Sequence, residues 1–150
     1  MTYGIISDAR NLIIPNWVPI LLVITFLAYS LFFWPDIDLL SHLATSAFVF
    51  LLSFMVYNLN WFGGGDLKLL TAISLWMGPA HIIAFSLLMA VLGWFLGLLL
   101  LSLRWAVNVR GTLSPNRLPR IVRRWLEEGA CPYGVAIGTA ALVLAPSAIG

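Results

Sequence analysis

Two aspartates stand where chemistry is possible. Asp66 closes the run Gly63-Gly64-Gly65-Asp66 and is followed by Lys68, in the middle of apolar sequence; Asp8 lies in Ser7-Asp8-Ala9-Arg10 near the start. A charged group placed among membrane spans costs several kcal/mol, which makes it a functional candidate by default. At the first turn of a helix a carboxylate gains ~0.3–1 kcal/mol from the free amides and the helix dipole, while loss of water opposes the charged form. If Asp8 is brought beside Asp66, repulsion in a low-dielectric site prevents both from ionising, and the pair shares one proton. Such a dyad holds a water between a base and an acid, activates it against a peptide carbonyl and protonates the carbonyl oxygen. That is aspartyl-type proteolysis. Gly63, Gly64 and Gly65 fit the same chemistry, because without Cβ atoms they admit a substrate strand close to the backbone and permit positive φ where the chain enters the helix. Lys68 and Arg10 each follow an aspartate by two positions and so leave its helical face. They are read as partners of substrate or of lipid phosphates, or as snorkelling side chains. The structural alternative for Asp66 is a plain N-cap.

The elements that must position these residues are membrane helices. The chain of 150 residues is 61% hydrophobic and 9% charged, with a mean hydropathy of +0.99. Crossing a ~30 Å hydrocarbon core takes about 20 apolar helical residues. The first such stretch runs from Trp17 to Trp34, the second from about Leu39 to Tyr57, and the last from Cys131 to Ile149. Between them an apolar run from Leu69 to Leu103 is broken at Met77-Gly78-Pro79-Ala80, which predicts two helices joined by a tight turn. The first, from Asp66 to Met77, covers only about 18 Å and starts within the membrane or in a cavity reaching into it. The fold class is therefore all-α: a polytopic helical membrane bundle of about five to six helices in one domain, with one short helix starting at Asp66.

Six of the seven arginines lie between Arg104 and Arg124, which predicts a cytoplasmic segment. Counting crossings outward from that segment puts Asp66, and then Asn16 and Asp8, at the same membrane face. Leu118, Ile121, Val122 and Trp125 recur at helical spacing there, so the segment is either a surface helix on anionic lipid or a solvated loop helix. Asp36 and Asp38, in Pro35-Asp36-Ile37-Asp38, read as a turn and helix cap. His42 and His81 read as interfacial residues, since neither has a second ligand type three or four positions away. Cys131, the single cysteine, reads as a small buried residue and rules out an internal disulfide.

Three stretches together, Ser7 to Trp17 (SDARNLIIPNW), Gly63 to Leu70 (GGGDLKLL) and Pro132 to Leu142 (PYGVAIGTAAL), resemble the short-form type IV prepilin peptidases, in particular those that accompany Flp-type tight-adherence pili. The resemblance implies an integral inner-membrane aspartic endopeptidase that removes the positively charged leader of prepilins or pseudopilins on the cytoplasmic side. It implies Asp8 and Asp66 as the catalytic pair and Gly63 and Gly65 as the glycines of the Gly-x-Gly-Asp motif. Pro132, Tyr133 and Gly134 then open the last helix near the catalytic face. Long-form relatives carry paired Cys-x-x-Cys and methylate the new N-terminus; with one cysteine here, cleavage without methylation is expected. No cofactor, metal or nucleic-acid partner is expected; the lipid bilayer is. The competing reading is a small proton- or cation-coupled transport subunit using Asp66 on a broken helix. A scaffold subunit without chemistry would leave the glycine run without a purpose.

Overall fold

The computed structural model describes residues 2–11, 13–33, 37–59, 63–108, 119–128 and 132–149. Trp34, Asp36, Asn60 to Phe62, Arg110, Arg117, Leu118 and Cys131 lie outside the described residues, and the readings placed on them with them. Among the described residues there are six α-helices and no strand: α1 (Thr2–Asn11), α2 (Trp17–Phe32), α3 (Leu39–Asn58), α4 (Gly64–Asn108), α5 (Arg120–Glu128) and α6 (Tyr133–Ile149). Of these, α3 and α4 are long and apolar enough to cross a membrane, and α2 and α6 are shorter apolar helices. Asp38 caps α3, accepting from the Ser41 amide at 3.4 Å, in the role its position suggested.

The outward faces are oily. Leu31, Phe32, Leu40, Leu51 and Met55 are all exposed, as expected where the surrounding solvent is hydrocarbon. The interior, although mainly apolar, also holds small polar residues: Ser30, Ser46, Ser53 and Ser74 are buried, and their hydroxyls return to backbone carbonyls.

The feature that organises the bundle is the break in α4. Gly78 has φ 57° and ψ −173°, outside helical values, and Pro79 follows. The contacts on either side show that the chain reverses there. On the first arm, 64–77, Gly64 lies by Tyr57 of α3, Thr71 accepts from Ser46, and Leu75 is bonded by His42, so this arm runs antiparallel to α3. On the second arm, 79–108, a Cβ on Gly93 would meet Tyr133 at 3.4 Å, beside Gly134 and the Asp8 carboxylate, so this arm returns toward the end that holds Gly65 and Ile14. The first arm is the most enclosed part of the molecule. Leu69, Leu70, Ile73 and Met77 join Ile14, Val18, Phe85, Ile137 and Ala140 in one core.

Two sequence expectations change. The short helix starts at Gly64, two residues before Asp66, because Gly64 and Gly65 enter the helical turn themselves. Positive φ belongs to Gly78, and it is the break rather than the glycine run that needs it. A Cβ at Gly78 would also come within 2.5 Å of the His42 ring. Gly78→Ala is therefore expected to destabilise the protein by more than the ~1–2 kcal/mol of left-handed backbone strain alone, read as a lowered unfolding temperature in detergent. An unchanged transition would contradict the tight reversal.

Candidate active site

Asp66 is the third residue of its helix, and Gly63 precedes the first turn. The Gly63 carbonyl accepts from the Leu67 amide at 3.1 Å, and the Asp66 carboxylate reaches back to the Gly63 amide. This is the carboxylate half of a capping box rather than an N-cap, and it satisfies one of the amides a helix start leaves free. The return is possible because Gly63 has no side chain: a Cβ there would meet Asp66 Oδ2 at 3.0 Å.

Asp8 sits on α1, whose described part is 10 residues long. It is 5% exposed. Its carboxylate takes the backbone amides of Gly134 and Val135, at the start of α6. Pro132, before that helix, has no side-chain acceptor, so α1 supplies the missing cap from another element. The approach is close. A Cβ on Gly134 would stand 2.7 Å from Asp8 Oδ2 and 2.8 Å from Ile14 Cδ1. Gly138, one turn on, faces Ile5, so Gly134 and Gly138 form a small-residue track on which α1 lies against α6.

Ile14 joins the two halves. Its Cδ1 lies against Gly134 and its Cβ would be 3.2 Å from a Cβ on Gly65, the residue before Asp66. Asp8 and Asp66 are thus at one end of the bundle, within electrostatic reach of each other. Asp8 Oδ2 and Asp66 Oδ1 are buried without a hydrogen-bond partner among the described residues. Burial pushes the Asp8 carboxyl up from 3.8 to about 6, against the opposing pull of the two α6 amides.

The other predicted residues separate. Gly64 is exposed and has only ordinary contact with Tyr57. Lys68 turns to the opposite face of α4 and donates to Asn16 Oδ1 at 2.9 Å, at the polar end of an apolar groove lined by Ile20, Ile24, Phe50 and Ala72. Arg10 is exposed at the end of α1. His42, in the first turn of α3, is half-buried at the level of Gly78, where the α4 break gives it a backbone partner.

Sequence reasoning missed how α5 takes part. Trp125 donates its indole N–H to the Ala9 carbonyl at 2.9 Å, and Arg124 donates to the Arg10 carbonyl at 3.3 Å. These are carbonyls of the last turn of α1, which have no partner within that helix, and a cation there suits the dipole. The segment read as a lipid-surface or solvated helix thus also closes the helix that carries Asp8. Its apolar spacing was visible; its partner was not.

The first 98 residues of the chain match the Type IV leader peptidase family. The chain belongs to that family, and with its apolar helical fold it is a membrane peptidase of that general class. Searches of curated proteins and of solved structures find no match.

Two predictions come from this geometry. Gly134→Ala is expected to displace Asp8 and to destabilise the α1–α6 contact, whereas Gly64→Ala is expected to leave the fold intact; equal unfolding temperatures for the two variants in detergent would contradict the close approach at Gly134. The pH dependence follows from the raised Asp8 carboxyl. Folding costs nothing through this group below the unfolded value of 3.8, where both states are protonated, and the cost grows until it is complete above about 6. Asp8→Asn, which cannot ionise, should therefore be more thermostable than the parent above neutral pH, with the gap closing as pH falls toward 4. A gap independent of pH would mean that Asp8 is not buried as described.

Proposed function

We propose that the protein is an aspartic endopeptidase that removes the leader peptide of type IV, Flp-like prepilins or pseudopilins at the cytoplasmic face of the bacterial inner membrane, without N-methylation. The observation that carries this reading is the meeting of Asp8 and Asp66 at one end of the bundle in a chain of the leader peptidase family. The arginine-bearing α5 lies at that same end, which supports a cytoplasmic site.

In this mechanism the pair shares one proton, and the two α6 amides favour Asp8 as the charged member. The charged carboxylate takes a proton from a water held between the two. The water oxygen bonds to the scissile carbonyl carbon as the protonated carboxyl gives its proton to the carbonyl oxygen. The tetrahedral gem-diol then collapses: one of its hydroxyls gives its proton to the dyad as the C–N bond breaks and the leaving nitrogen takes a proton from the dyad, which restores the shared-proton state. Gly63, Gly64 and Gly65 give the substrate backbone access beside Asp66, and Gly64 is the one with room to spare. Lys68 would meet the substrate or a lipid phosphate from the adjacent groove. The transport reading calls for paired broken segments; among the described helices, α4 alone has non-helical backbone inside it.

The test is cleavage of a prepilin-like substrate in membranes. Asp8→Asn and Asp66→Asn should each lower the rate by more than about a hundredfold while still inserting. The rate of the parent enzyme should be bell-shaped in pH, climbing as pH rises through about 6 and falling again as the second proton leaves. Full activity in either variant, or a flat profile from mildly acidic to mildly alkaline pH, would reject the shared-proton mechanism.

A further inference from the structure

The break in α4 strands a particular carbonyl. Pro79 has no N–H, so the carbonyl four residues before it, that of Leu75, loses its intrahelical donor. In an apolar surrounding with no water at hand such a group must find another partner or cost several kcal/mol. The partner comes from α3. His42 Nδ1 lies 2.8 Å from the Leu75 oxygen. A carbonyl only accepts, so Nδ1 carries the hydrogen and the imidazole is the donor.

The ring is held on every side. It stacks on Phe26 of α2 at 5.5 Å and 25°; Phe26 in turn meets Trp76 edge-on at 5.5 Å, and Trp76 donates to the Leu22 carbonyl at 2.9 Å. The missing side chain of Gly78 leaves the space the imidazole fills. Thus α2, α3 and the first arm of α4, at its Gly78 break, meet at His42. From Gly78 to Asp66 is about 12 residues, a lever of ~18 Å, so a change of ~10° at the break moves the Asp66 end by ~3 Å. Misplacement of a reacting group by about 1 Å already costs about a hundredfold in rate.

We propose that His42 is a positioning residue for Asp66: by donating to the carbonyl that Pro79 strands, it fixes the angle at which the 64–77 arm presents its carboxylate. The proposal rests on the peptidase reading, and the experiment separates the two. The purified protein is compared as His42→Asn, His42→Gln and His42→Phe, with Asp66→Asn as the control for chemistry. Asparagine places its amide N–H near the position of Nδ1; glutamine carries its own near Nε2, and phenylalanine keeps the ring without a donor. With folded amounts matched by gel filtration, Asn should retain most of kcat, while Gln and Phe lose about tenfold or more with KM little changed. Hydrogen exchange along residues 64–77, which needs no substrate, should quicken for Gln and Phe and not for Asn.

Full kcat in the Gln or Phe variant, an Asn variant no better than Gln, or exchange unaltered in all three would overturn the proposal while leaving Asp66 as the test of the peptidase. Cleavage that survives in Asp66→Asn would sink the peptidase reading and with it the role assigned to His42. Should the Phe variant fail to fold, the contrast between Asn and Gln still decides.

Discussion

Backbone amides and carbonyls inside hydrocarbon have no water to fall back on, and that constraint governs this bundle. Full-length helices meet it internally. The short 64–77 arm cannot do so alone, because every helix start and end leaves backbone groups without an intrahelical partner. At its start the Asp66 carboxylate turns back to the Gly63 amide; at its end the Leu75 carbonyl is met by His42. The same rule applies where α6 begins behind a proline, and there the acceptor is Asp8, from a different helix. Both acidic groups are thus placed by the needs of helix starts. Each keeps one oxygen without a partner among the described residues, and that free capacity suits a shared water or substrate.

Glycine contributes space here more than flexibility. Gly63 lets a carboxylate fold back, Gly65 admits Ile14, and Gly134 with Gly138 lets α1 lie on α6. Among the described glycines only Gly78 uses the conformational freedom of the residue, and it does so at the break in α4. The closeness of α1 to α6 then depends on a third element, since Trp125 and Arg124 of α5 take up the carbonyls at the α1 end. The cationic segment therefore has a structural partner next to the acidic pair, in addition to whatever charge it presents to a membrane surface.

Hydropathy and charge are properties of the chain taken a few residues at a time, and what depends on them was open to reading. The all-α class, apolar helices read as Trp17 to Trp34 and about Leu39 to Tyr57, and the break at Gly78-Pro79 follow from apolar run lengths and one glycine-proline pair. The helix start was misread at Asp66 because glycine is a poor helix former, whereas two glycines join the first turn here. The partner of His42 was not legible, because a lone histidine near a span end carries no local sign of a carbonyl 33 positions away.

The sequence by itself determined the apolar character of this protein's surroundings and its helices, since each depends on the sum of many residues along a segment. Tertiary structure alone decided the pairings: Asp8 with the α6 amides, Trp125 with α1, Lys68 with Asn16 and His42 with Leu75. A stranded amide or carbonyl is satisfied by whichever donor or acceptor the packing of distant helices brings within about 3 Å. That choice is made in three dimensions and leaves no periodic trace along the chain.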